Sequence, residues 1–513
     1  MSFDLYSLII FTAVFVSLYC IRLRRNQFRL PLPPGPRKLP LVGNIFDLPS
    51  TFEWETYLEW SKTYDSDILH LTAGPTTMIV LSSMEAAVDL LEKRSALYSD
   101  RPRFPMLKEL MGLDSNLVLM NYGDQWRAHR KLFHNMFHAE AAKKFHPKVV
   151  AATHELLRRI LEKPDGFMDH LHHMAGEVIM SVTYGIDVLP ENDPYVALAE
   201  QVVHVSAEAS IPGRFLVDFI PILKYVPEWF PGAGFRRIAN AWKVLIRDMA
   251  DKPFAETKHR IGMGNATHSF TMSALESLED CEDREDREEV IKSAAATMYS
   301  AGSDTTVAAL GTFLLAMLAN PEAQKKAQDE IDSVVGHGHL PGFDDEPSLP
   351  YISALVKEVL RWKPVTPIGV PHFLPVEDEY RGYRIPAGSV VMANSWAILH
   401  DETMYPDPYA FKPERFLVDG TPNPAIRNPD AAFGFGRRIC PGRHMAISSV
   451  WITVTSILAT FDITKAIGED GKVTEPSYEY SPQMIMMPLP FKCSIKPRSQ
   501  RAVEMIQATQ DPA

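Results

Sequence analysis

The chain has 513 residues, 46% of them hydrophobic, which supports a large buried core and excludes a disordered polymer. Its formal net charge of −12 excludes a general nucleic-acid binder. Its four cysteines, Cys20, Cys281, Cys440 and Cys493, are scattered with no CxxC pair. That excludes a disulfide framework and suits a reducing compartment, where an unpaired thiolate can serve as a ligand.

The first strong signal is the apolar run 5–21, with Asp4 before it and Arg22, Arg24, Arg25 and Arg29 after it. Its length is at the short end for a helix spanning a bilayer. The basic flank predicts a lumenal segment 1–4, a transmembrane anchor over 5–21 and a cytosolic remainder. A cleaved signal peptide is the competing reading; it calls for a basic leader and a small-residue cleavage site, and neither is evident. Pro31-Leu-Pro-Pro-Gly-Pro36 predicts a stiff, extended connector within a basic, proline-rich hinge over 22–40. An SH3-type ligand is its rival. One large domain is then expected over 41–513.

Within that domain, 52–64 is patterned as an amphipathic helix. Short strands are expected over 68–72 and 78–81, around the turn at Gly74-Pro75. A helix over 83–93 has Ser83 as its N-cap. The loop-rich, apolar stretch 101–121 suits the border of a binding cavity. Trp126-Arg-Ala-His-Arg130 opens a helix that carries Trp126 and Arg130 on one face. Taken alone, an ordinary helix with an exposed arginine explains that pair. From 143 to 258 the pattern is helical except at 211–235. There Pro212, Pro221, Pro227 and Pro231 among apolar residues predict a mobile, partly membrane-facing roof near a substrate channel, or a buried proline-broken loop. The charge run 279–289 reads as a solvated helix start.

A long helix is predicted over 290–319, about 45 Å of α-helix, ended by Asn320-Pro321. Ala301-Gly-Ser-Asp-Thr-Thr306 sits in its middle, and a glycine with an acid–hydroxyl pair is a poor choice for a core helix. Such a cost marks a functional site, or a kinked helix with satisfied polar groups. Ala301 and Gly302 would let a flat ring approach the backbone. Asp304 and Thr305 would distort the helix and hold a water.

Further on, 355–362 is helical, with Glu358 and Arg361 on one face, and Phe411-Lys-Pro-Glu-Arg-Phe416 supplies Arg415. His372 ends the segment 367–372 and reads equally as a surface histidine. A β-hairpin is predicted over 380–391. A last hairpin is predicted over 478–496, with an apolar tip at 484–487 facing the substrate.

Phe433-Gly-Phe-Gly-Arg-Arg-Ile-Cys-Pro-Gly442 places Cys440 in a glycine-rich loop beside two arginines, just before a helical run. Positive charge and backbone N–H donors favour a thiolate. Cys440 alone would pass for a structural cysteine in a tight turn. The pattern of Phe433, Gly436, Arg438, Cys440 and Gly442, however, resembles the haem-ligand loop of the cytochrome P450 family. The resemblance extends to Trp126-x-x-x-Arg130, to the 301–306 stretch, to Glu358-x-x-Arg361 with Arg415, and to His372. It covers nearly the whole chain and is greatest with membrane-anchored microsomal P450s, similar to fungal secondary-metabolism and xenobiotic monooxygenases.

The resemblance implies a mainly α fold with small β-sheets and a haem b cofactor. It implies Cys440 as axial iron ligand and Trp126, Arg130, His372 and Arg438 as partners of the haem propionates, with Phe433, Gly436 and Gly442 shaping the loop. Asp304 and Thr305 would deliver protons, and Glu358, Arg361 and Arg415 would form a structural lock. The implied reaction inserts one atom of O2 into a lipophilic substrate. Electrons would come from NADPH-cytochrome P450 reductase and cytochrome b5 at the endoplasmic reticulum membrane, with no role for nucleic acid. The chain itself shows no flavin or nicotinamide fingerprint. The alternatives are an oxygen-independent P450-type isomerase or dehydratase, which would dispense with the acid–alcohol pair, and a non-catalytic haem sensor.

Overall fold

The computed structural model describes residues 30–510 except 41, 212, 279–282 and 337. The expected anchor over 5–21 lies outside the described residues. The main helices, in chain order, are α1 (Glu53–Thr63), α2 (Asp124–Phe137), α3 (His146–Glu162), α4 (Phe167–Tyr184), α5 (Pro194–Ser210), α6 (Gly234–Gly262), α7 (Arg284–Ala319), α8 (Pro321–Val334), α9 (Pro350–Trp362) and α10 (Arg443–Thr460). Helix α7 is the axis of the molecule and packs most extensively on α4. It starts at Arg284, ahead of the apolar run, because Glu285 and Asp286 suit the positive end of a helix dipole. Its buried face is nearly continuous from Val307 to Leu318, since core elements surround that half. Among the described residues α7 is the only helix long and apolar enough to cross a membrane, and most of it is buried inside the protein.

The strands form one four-stranded sheet and three separate two-stranded ones. Strands β1 (Ile68–Ala73) and β2 (Thr76–Leu81) form the expected hairpin, with Ile68 opposite Leu81. The sheet continues through β3 (His372–Leu374) and β6 (Ser389–Ala393) in the order β1-β2-β6-β3, with β2 and β6 parallel. Ser83 caps the following helix by accepting from the Ala86 amide. A small hairpin of β4 (Asp378–Tyr380) and β5 (Tyr383–Ile385) stands apart.

Several expectations change. The 380–391 stretch is not one hairpin: β5 pairs back to β4, while β6 joins the large sheet. The 478–496 tail is not a two-stranded hairpin either. Its last strand, β8 (Cys493–Pro497), pairs with β7 (Phe461–Lys465), and a lone bridge joins Tyr480 to Pro488. The proline-rich segment forms no helix or strand over 31–36 and is docked on the domain. The Pro34 carbonyl accepts from the His70 amide at 2.9 Å, and the Pro31 carbonyl accepts from Arg384 at 2.8 Å. The 211–235 stretch holds short 3-10 turns at Leu216–Asp218 and Pro221–Tyr225 and exposes Leu216, Ile222, Tyr225 and Trp229.

Candidate active site

A cavity of about 350 Å³ separates α7 from the 433–442 loop. Cys440, half-buried, lies on its wall with Phe433, Arg438 and Gly442. The Cys440 amide donates to the Phe433 carbonyl at 2.7 Å, which closes the loop under the sulfur. Helix α10 starts at Arg443, so its first amides and positive dipole end lie beside the thiol. Burial pushes the Cys440 thiol up. The backbone donors of Gly442 and Arg443 and the charges of Arg130 and Arg443 oppose that shift. A metal ion at the sulfur adds the charge that strips the proton outright. A Cβ on Gly442 would meet nothing within 4 Å, so the loop leaves open space next to the sulfur. Gly436 is different. It is not among the cavity-lining residues. Its φ is 53°, and a Cβ there would lie 2.2 Å from the Leu91 carbonyl oxygen. It seats the loop on the 88–93 turn rather than touching a cofactor.

The same wall carries an unusual cationic set: Arg101, Arg130, Arg438 and His372 all line the cavity with Trp126. The Arg438 guanidinium lies 4.7 Å from the Trp126 ring centroid, and Arg130 lies 6.0 Å from it. Arg438 donates to the carbonyls of Ser99 at 2.7 Å and Met120 at 2.6 Å. Burial pulls its pKa down to about 10. Arg101 donates to Val118, Val370 and Pro371 carbonyls, which fixes it in place. Burial lowers Arg130 too; the groups acting on its charge are Cys440 and Arg443, with no carboxylate among them. His372 Nδ1–H donates to the Tyr98 carbonyl at 2.7 Å, and burial with Arg101 and Arg438 holds the ring neutral. An anion in the cavity would reverse that balance. The indole Nε1 of Trp126 is buried with no hydrogen-bond partner. Buried cations, of which Arg101 and Arg130 have no carboxylate acting on them, and an orphaned donor beside a thiol fit a metal-centred ring bearing carboxylates. Arg101 sits in no motif, but it opens the 101–121 stretch expected to border a cavity, and Arg101, Leu117 and Val118 of that stretch do line it.

Across the cavity, α7 presents Met298, Ala301, Thr305 and Ala309. Thr305 Oγ1 donates to the Ala301 carbonyl at 2.8 Å, an ordinary back-bond. The helix runs unbroken through 301–306, so the expected distortion is not seen. Gly302 lines the cavity, and its missing Cβ also makes room for α4: a Cβ would lie 2.7 Å from Cδ1 of Ile179, another lining residue. Asp304 is not a cavity-lining residue. It faces α4, with Oδ1 buried, unpartnered and 3.9 Å from His172 Nδ1, and burial raises its pKa. Helix α4 contributes Met174, Val178 and Ile179 to the wall, a contribution the sequence did not reveal because its apolar pattern reads as ordinary core. Among the described residues of 211–235 and 484–487, none lines the cavity; Met486 instead docks through its amide on the Val365 carbonyl at 2.8 Å.

The charged lock forms as expected. Arg361 donates to both Glu358 oxygens at 2.7 and 2.9 Å, and Arg415 Nε donates to the same carboxylate at 3.2 Å. Both Glu358 and Arg361 have 0% side-chain exposure. The Lys412 amide adds a fourth donor at 2.8 Å, and Arg361 Nη1 holds the Leu399 carbonyl. Burial this complete tolerates charge because the carboxylate accepts from four donors, three on Oε1 and one on Oε2. The lock ties the 399–415 segment to α9.

Comparison with known proteins agrees with this geometry. The sequence matches the family Cytochrome P450 over residues 33–494. It is 48% identical over 504 residues to Cytochrome P450 monooxygenase 98 of Postia placenta, covering 98% of this chain and 97% of that protein. It is 47% identical to Cytochrome P450 monooxygenase ple1 of Rhodocybe pseudopiperita, over 93% of this chain and 91% of that protein. It is 40% identical to Tryptamine 4-monooxygenase of Psilocybe cyanescens, over 94% of this chain and 96% of that protein. A cavity whose one wall carries both the thiol loop and the cationic set fits that family's haem, and the chain, matched almost end to end, belongs to the cytochrome P450 family.

Proposed function

We propose that this P450 monooxygenase oxidises a neutral, lipophilic small molecule with electrons from an NADPH-dependent cytochrome P450 reductase, cytochrome b5 serving as a second donor. The observation that carries the substrate class is the cavity wall. Opposite Cys440 it is built from Met174, Val178, Ile179, Met298, Val365 and Ile368, and among the described lining residues none is Asp or Glu. A cationic amine buried there would lack a counter-ion, at a cost of several kcal/mol. The relative named for tryptamine acts on an amine; the wall described here favours an uncharged substrate instead.

Haem would supply the oxidising power, and the Cys440 thiolate would hold its iron and tune it. The protein's own groups do the rest. Trp126 Nε1, Arg130, Arg438 and His372 would hold the propionates, and the apolar wall excludes water and orients the substrate. The Thr305 hydroxyl, on the cavity side of α7, holds and passes a proton. Asp304, on the side facing α4, keeps that proton supplied. The exposed Leu216, Ile222, Tyr225 and Trp229 support contact with a membrane, in keeping with an anchor over 5–21 and a catalytic domain on the cytosolic face of the endoplasmic reticulum.

The test is spectral titration of the haem-loaded protein with neutral terpenoid-like and aromatic compounds beside cationic amines of equal size, followed by turnover with reductase and NADPH. Spin-state shifts and coupled oxygenated product are expected from neutral compounds. Tighter binding and turnover of the amines would overturn the substrate class.

A further inference from the structure

Asp304 is enclosed on the α4 side of α7, and a group that gives up a proton in every turnover must be refilled from solvent. His172, on α4, stands at the outer end of Asp304. Its Nδ1 is 3.9 Å from Asp304 Oδ1 and also 3.9 Å from Glu200 Oε1 on α5. The exposures are graded outward: 13% for Asp304, 26% for His172 and 49% for Glu200. One ring nitrogen thus stands between a buried carboxyl and a surface carboxylate, too far for a direct hydrogen bond to either. A modest side-chain rotation or one bridging water closes each gap in turn. Asp304 Oδ1 is buried without a hydrogen-bond partner, which leaves it open to the imidazole. The adjoining histidine, His173, turns away, with Nδ1 3.9 Å from Glu177 and Nε2 on the Leu189 carbonyl.

We propose that His172 is the positioning residue that reloads Asp304 with protons, and that Glu200 is the surface group that recharges His172. The inference rests on the reading of Asp304 and Thr305 as the proton-delivering pair. The overall reaction is RH + O2 + NADPH + H+ → ROH + H2O + NADP+, so protons are consumed at the buried site while the reductase delivers the electrons. In each reload, His172 Nδ1–H breaks as the Asp304 O–H forms, and His172 regains its proton from Glu200 or from water. The titratable groups facing the path are Asp304 from α7, His172 from α4 and Glu200 from α5; the Ser303 side chain also acts on Asp304.

The experiment uses the full-length, haem-loaded protein with reductase and compares His172→Phe, His172→Gln, Glu200→Gln and Asp304→Asn. Readouts are product formed per NADPH, the solvent deuterium isotope effect on turnover, and the infrared carbonyl stretch of protonated Asp304, assigned by its loss in Asp304→Asn. Both His172 variants are expected to lower turnover about 10-fold, within the range for a lost proton-transfer group. They should also enlarge the isotope effect and shift the titration of the Asp304 band, with the substrate-induced spin shift unchanged. Glu200→Gln should give a smaller effect of the same sign, because water also reaches His172. If Asp304→Asn is impaired while both His172 variants match the parent protein in isotope effect and infrared titration, the relay is overturned and the acid's role stands. If Asp304→Asn also matches the parent protein, the acid's role fails and the relay with it.

Discussion

Gly302 of the long helix and Ile179 of α4 meet at a point where no further carbon fits: a Cβ on Gly302 would lie 2.7 Å from Ile179 Cδ1 and 2.9 Å from its Cγ1. The glycine therefore sets how closely two core helices approach, and through them the width of the cavity both help to line. Gly302→Ala should overpack this contact and cost about 1–3 kcal/mol, despite alanine's better helix propensity. Thermal unfolding of Gly302→Ala, Ile179→Ala and the double variant checks it. The double variant should lose less than the sum of the two single losses, the signature of a direct contact.

That contact marks the boundary of what the sequence reveals. Cys440, Arg438, Glu358, Arg361 and Arg415 are legible because their spacing lies within short segments whose geometry is local. The buried lock then appears with each partner in place. Gly302 and Gly436 are legible as glycines but not in their purpose. Their neighbours, Ile179 and Leu91, come from elements distant in the chain, and only the packed fold brings them together. Asp304 and Thr305 are adjacent in sequence yet point to different faces of one helix, so the motif conceals that only Thr305 lines the cavity. His172 and Arg101 belong to no motif. The 484–487 tip illustrates the converse: an apolar loop suggests a substrate contact, but the loop is spent on docking to Val365.

Arg361→Ala should be among the most damaging single changes. It leaves Glu358 buried with Arg415 as its remaining guanidinium partner, and breaking such a pair costs about 3–5 kcal/mol. Arg361→Lys should also fail, because a point charge cannot span both carboxylate oxygens and reach the Leu399 carbonyl. The yield of protein with a thiolate-type spectrum in the reduced, CO-bound state checks both; a normal yield from the lysine variant would show that charge alone suffices.

Trp126→Phe separates a cofactor role from a structural one. The indole nitrogen is buried and unpartnered, so removing it relieves a desolvation cost, and the haem-free fold should change by less than about 1 kcal/mol. Haem retention should fall about 10-fold, the value of one hydrogen bond to a charged carboxylate. Transfer of haem to apomyoglobin measures this directly. Equal transfer rates for the two proteins would remove the indole from propionate binding.

Thr305→Val keeps the β-branched shape and deletes the hydroxyl. Its only bond is to the Ala301 carbonyl one turn back, so the stability change should be under about 1 kcal/mol. Product formed per NADPH should drop about 10-fold as proton delivery fails. Chromatographic product measured against NADPH consumed decides it, and unchanged coupling would mean the hydroxyl is not used.

Glu177, also on α4, gives a pH dependence independent of the haem. Burial is the first cause that pushes its carboxyl up, to about 7, with Glu155 reinforcing and Arg159 opposing. One oxygen is buried without a partner, and the nearby His173 is itself depressed by burial. The folded pKa exceeds the unfolded value near 4.5, so below that value both states are protonated and the group contributes nothing. As pH rises towards 7 the unfolded chain ionises first, and the folded state loses up to about 3 kcal/mol relative to it. The loss is complete once the folded group ionises as well. Glu177→Gln removes the titration, so the variant should match the parent protein near pH 4.5 and become progressively more stable than it up to pH 7–8. Urea unfolding across that range checks the sign. A difference that shrinks as pH rises would mean that Glu177 is held ionised by Arg159 rather than protonated by burial.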